Sequence, residues 1–94
     1  MTDKELILRY VEVDPIHSGP GNVRLKDSGV NVWAIIGNYL ANERDAERTA
    51  AEYDLPLMEV EAAVAFYRRF KWAIDARLAE NEEFDLESAL AATA

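Results

Sequence analysis

At Gly29 the hydrophobic pattern of this 94-residue chain changes period, and that change constrains the fold more than any other feature. Ahead of it, Leu6 to Val13 (LILRYVEV) is apolar and β-branched with polar breaks at Arg9 and Glu12, and reads as a strand over 6–13. Asp14-Pro15 ends it, because proline lacks the ladder donor and restricts the residue before it. His17 to Asn22 is a loop by composition, Val23-Arg24-Leu25 suffices for a short second strand over 23–25, and Lys26 to Gly29 is a turn with Gly29 open to positive φ. Behind it, Val32, Ile35, Ile36, Tyr39 and Leu40 recur at i, i+3, i+4, i+7 and i+8, the apolar stripe of a helix over about 32–42. Asn31 is a good N-cap, and Asn42 sits where a left-handed terminator belongs. Trp33 lies off the stripe, placed either to cover a neighbouring strand or to sit in an interface.

Asp45 can cap a second helix over 46–53, with Ala46, Thr49, Ala50 and Tyr53 on its apolar face. Asp54-Leu55-Pro56 breaks it. From Leu57 onward no Gly or Pro follows, so a third helix is expected over 57–82, on the order of 35–40 Å long at 1.5 Å per residue. Its apolar residues form two adjacent stripes, one through Leu57, Val60, Val64 and Tyr67 and one through Phe66 and Phe70, with Ile74 and Leu78 continuing the seam. That is more apolar surface than a monomer of this size should cover. The excess predicts a two-fold homodimer through Phe66, Phe70, Ile74 and Leu78. The expected fold is therefore α+β and mainly α. A short N-terminal antiparallel strand pair precedes a helix-turn-helix-like set of three helices with a long third member. One domain spans residues 1–82, followed by an acidic tail at 83–94.

Composition removes whole classes of function. The chain has no cysteine, so disulfides, thiolate nucleophiles and Cys-based metal centres are excluded. No apolar stretch exceeds six residues, as in Val32 to Gly37, far short of the roughly 20 residues that a membrane span needs. The Met-Thr-Asp-Lys-Glu start lacks the basic and apolar regions of a secretory signal, so a cytoplasmic location is expected. The only histidine, His17, stands in a Gly/Pro-rich loop with no nucleophile motif beside it, and Pro20 removes a donor where a phosphate loop would need one. No carboxylate spacing suggests a metal site. The expectation is a non-enzyme with no cofactor.

The net charge is −8, and residues 78–94 hold five acids and no base. Phe84, Leu86 and Leu90 are the apolar anchors of this tail, set among Glu82, Glu83 and Asp85. Such a segment suits a basic cleft on a partner protein, folding on contact. The alternative partner is DNA. In a helix-turn-helix reader the first turns of the third helix enter the major groove, but here they carry Glu59 and Glu61 and no purine-reading side chain. The basic cluster Arg68, Arg69 and Lys71 comes about three turns later, where it could touch only the DNA backbone.

Taken in order, several motifs resemble a bacterial family of small proteins known as domain of unknown function four-three-three, some of them described as VapB-type antitoxins. The motifs are Asp14-Pro15-Ile16-His17-Ser18-Gly19, Val23-Arg24-Leu25, Gly29-Val30-Asn31-Val32-Trp33-Ala34-Ile35-Ile36, Ala50-Ala51-Glu52-Tyr53-Asp54-Leu55-Pro56, Val60 to Tyr67, and Ile74 to Leu78. They cover about residues 6–80. The chain departs from the family pattern at Asp27-Ser28-Gly29, where many members carry Gly-Thr-Arg, so no role tied to that arginine carries over. The resemblance implies a strand pair on a three-helix, homeodomain-like core, often dimeric. It also implies a cognate toxin of the PIN-nuclease type, bound by the C-terminal segment. The readings are thus an antitoxin-like interaction protein, a DNA-binding autoregulator, or a dimeric structural relative with no toxin.

Overall fold

The computed structural model describes residues 1–80, and shows a mainly helical α+β chain with a two-stranded antiparallel sheet and five helices. It opens with a helix, α1 (Asp3–Tyr10), where the hydrophobic run suggested a strand from Leu6. Thr2 and Glu5 form a capping box: the Glu5 N–H donates to Thr2 Oγ1 at 3.2 Å, and Glu5 Oε1 faces the Thr2 N–H at 3.5 Å. Once the helix is nucleated, Leu6 is buried with Ile7 and Tyr10 beside it, and α1 packs along the fourth helix. Only Val11–Val13 remain as strand β1. A short apolar run fits either period, and a cap together with a packing partner decided this one.

Strand β1 pairs antiparallel with β2 (Val23–Leu25), Val11 opposite Leu25 and Val13 opposite Val23. Between them Glu12 and Arg24 meet across the strands, Arg24 Nε lying 2.7 Å from Glu12 Oε2. The connection turns first at Asp14, whose Oδ1 accepts the Ile16 and His17 N–H groups. It turns again in a single 3₁₀ turn at Pro20–Asn22. Gly29, at φ 74°, closes the turn after β2 by donating to the Leu25 carbonyl at 3.0 Å.

Helices α2 (Val32–Ala41), α3 (Ala46–Tyr53) and α4 (Leu57–Arg69) lie close to where their stripes place them. Asn31 occupies the N-cap of α2 without a side-chain bond, whereas Asp45 caps α3 by accepting the Arg48 N–H at 3.1 Å. The left-handed residues after α2 are Glu43 and Arg44, at φ 57° and 63°, and not Asn42. Val32, Ile35 and Ile36 from α2 meet Leu25 and Val60 in a core with no solvent exposure, while Leu57 stays at the surface.

The long third helix expected over 57–82 is two helices. The backbone leaves α4 at Phe70 (φ −123°, ψ 42°), and residues 71–80 form a separate helix, α5. Neither Gly nor Pro causes the break. The Phe70 ring stacks on Phe66 with centroids 4.7 Å apart, and the Phe70 carbonyl accepts the N–H groups of Ala73 and Ile74 to start α5. The turn brings Ile74 back into the core at 0% exposure and sets Leu78 against α2, where Gly37 leaves room for it. A straight helix would have carried both apolar residues into water.

Candidate functional site

The break at Phe70 orients α5 so that one face covers the core and the other borders the Gly19–Asn22 loop. Gly21 lets the two approach: a Cβ there would stand 3.4 Å from the Ala73 carbonyl oxygen. Between loop and helix runs an open groove of about 350 Å3, bordered by Pro20, Asn22, Trp72, Ala76, Arg77 and Glu80. Trp72 is 69% exposed on its rim. The Arg77 guanidinium lies over the Trp33 ring, 5.2 Å from its centroid, and Nη1 approaches Glu80 Oε2 at 3.4 Å. Arg77 Nε is buried and has no hydrogen-bond partner among the described residues. An indole beside a guanidinium can hold an apolar partner side chain and a partner carboxylate or carbonyl together, a pairing that recurs where a few residues dominate an interface. Sequence reasoning missed this groove, because the contact of loop and helix joins residues more than 50 positions apart.

The other candidate residues are distributed as follows. Phe66 and Ile74 are buried within one chain, at 5% and 0% exposure, and Phe70 and Leu78 pack half-buried against the same core. The break at Phe70 folds the strip expected to hold a second copy inward, which removes the reason for expecting a dimer there. Arg68 is clamped by Asp3, Nε to Oδ2 at 3.0 Å and Nη2 to Oδ1 at 2.9 Å, and this hydrogen bond holds the Asp3 carboxyl below its usual range. Lys71 Nζ lies 2.6 Å from Asp75 Oδ2, and Arg69 is exposed. Glu59 does not face outward as a groove-reading position would. It is 5% exposed, Oε1 is buried without a partner among the described residues, and burial, with the Asp27 charge second, raises its carboxyl above the usual range. His17 is exposed beside Asp14. The tail residues Glu82, Glu83, Phe84, Asp85, Leu86 and Leu90 lie outside the described residues.

Among the described residues, His, Asp and Glu nowhere gather in threes as a metal site would need, and no helix is long and apolar enough to cross a membrane. Comparison of the chain with models of known families, with curated proteins and with solved structures finds no match.

Proposed function

We propose that this chain is an antitoxin-like interaction protein without catalytic activity of its own, working in the cytoplasm, and that it binds and neutralises a nuclease toxin of the PIN type. In this reading α2, α3 and α4 form the homeodomain-like unit that the family resemblance implies. The acidic C-terminal segment enters the partner's basic or metal-proximal cleft, with Phe84, Leu86 and Leu90 as apolar anchors.

Trp72 carries the proposal. A large aromatic side chain left 69% in water, on the helix that leads towards the acidic segment, fits a surface used by another protein. The charge layout supports it as well. Arg24, Arg48, Arg68 and Lys71 all have acidic partners within the folded body, so the acids of the tail are not needed to neutralise them. The same pairing counts against the DNA reading, since it sets the carboxylates of Asp3 and Asp75 beside Arg68 and Lys71, where a continuous polyanionic backbone would have to pass.

The test is co-purification with the product of the adjacent open reading frame. The full chain should retain that protein. Deleting residues 81–94 should abolish capture, and Trp72→Ala should weaken it while leaving the fold intact. Unchanged capture by the deletion variant would refute the tail mechanism.

A further inference from the structure

Near the end of α4, three cations from three parts of the chain line one hollow. Arg44 comes from the turn after α2, Arg68 from the end of α4 and Lys71 from the start of α5. With Tyr39, Tyr67 and the buried Val64 they enclose about 260 Å3. We propose that this hollow binds the phosphate group of a small phosphate monoester.

The arrangement of donors supports this. Asp3 occupies Nε and Nη2 of Arg68 and leaves Nη1 outside the pair. Asp75 engages Lys71 Nζ at 2.6 Å, one of three ammonium donors. Each acid therefore orients a cation without using all its donors. Arg44 makes no ion pair among the described residues, so its guanidinium donors are not committed to a carboxylate there. The Tyr39 hydroxyl likewise has no hydrogen-bond partner there, and Arg44 is held at φ 63°. Donors arriving from several directions suit a tetrahedral anion with several oxygens better than a single carboxylate.

The neighbouring surface limits what the phosphate is attached to. A second hollow of about 320 Å3 shares Tyr39, Val64 and Arg68 with the first and continues over Leu6 and Ala46, bordered by Asp3 and Glu61. Its apolar floor accepts an uncharged organic group, and the Glu61 carboxylate at its border disfavours a second phosphate. The phosphate hollow itself is smaller than the roughly 300–1,000 Å3 of sites that enclose a drug-sized ligand. A short uncharged ester fits these limits, and a polynucleotide backbone does not.

The test is a titration of the full chain, followed by NMR, with inorganic phosphate, glucose 6-phosphate and a 5′-phosphorylated single-stranded oligonucleotide, at fixed ionic strength. Phosphate and glucose 6-phosphate should shift the signals of Tyr39, Arg44, Tyr67 and Lys71 saturably, the ester more tightly, while glucose alone does nothing. Arg44→Gly removes the guanidinium and suits the left-handed backbone, so it should keep the fold and lose at least tenfold in affinity. Arg44→Lys should restore part of it. Absence of saturable binding, or unchanged affinity in Arg44→Gly, overturns the site. Tighter binding of the oligonucleotide than of the sugar phosphate overturns the ligand class.

Discussion

Tyr67 and Asp75 face each other across the break between α4 and α5, the Tyr67 hydroxyl donating to Asp75 Oδ1 at 2.7 Å. Asp75 also receives the Lys71 ammonium at 2.6 Å, so one carboxylate ties the last turn of α4 to the first turns of α5. The Lys71 hydrogen bond, and Tyr67 after it, hold the Asp75 carboxyl below its usual range. Burial, followed by the bond to Asp75, raises the Tyr67 phenol. Tyr67→Phe should cost about 1 kcal/mol of stability, as the loss of one such bond does. Because the Asp75 pKa is depressed on folding, its contribution is present above the unfolded value of about 3.9 and is lost as pH falls through the lower folded value. Denaturant unfolding at neutral pH and through the acid range should show a shallower acid limb in Asp75→Asn. An unchanged limb would mean that the clamp contributes nothing to the break.

Glu59 should give the opposite pH dependence. Burial raises its folded pKa above the unfolded value, so folding is favoured most where the carboxyl is protonated in both states. That advantage disappears as pH rises from about 4.3 through the folded value. Glu59→Gln removes the titration, and should raise stability at neutral pH by about 1 kcal/mol, at the low end of the penalty for an unsatisfied buried group. The measurement is unfolding free energy against pH for the two proteins, whose curves should converge in acid.

Ile74 and Trp72 stand two residues apart on α5 and should behave as opposites. Ile74 is fully buried, so Ile74→Ala should cost about 2–5 kcal/mol, by an amount independent of protein concentration. Trp72→Ala should change stability by no more than about 0.5 kcal/mol. A concentration-dependent midpoint in Ile74→Ala would place this side chain between two copies of the chain.

The cap on α1 is the remaining local device open to test. Thr2→Ala removes the oxygen that accepts the Glu5 N–H, and should cost about 1 kcal/mol. Amide exchange should quicken within Asp3–Tyr10 before it does so in α4, because α1 buries Leu6 alone whereas α4 runs through the core. Equal quickening in both helices would show that they open together.

The particular elements show where sequence was enough. The stripes of α2, α3 and α4, the Asp45 cap, strand β2 and the Gly29 turn were all legible, because each depends on residues within one or two turns of one another. The helix at Asp3–Tyr10 was not legible in the same way: the apolar, β-branched run from Leu6 favoured a strand, and the Thr2–Glu5 capping box together with packing on α4 makes it a helix. For the Trp72 groove and the hollow around Arg44 the sequence offered no sign beyond the residue types.

What the sequence by itself determined, then, is the helical periodicity after Gly29, the lack of cysteine chemistry and the concentration of acids after residue 78. Tertiary structure alone decided that the long apolar stretch breaks at Phe70, that Phe66 and Ile74 turn inward, that Glu59 is buried, and that Arg44 meets Arg68 and Lys71. Local periodicity records which face of a helix is apolar. It does not record how far the core extends along that helix, and at Phe70 the core ends before the apolar pattern does, so the backbone bends to return Ile74 and Leu78 to the core.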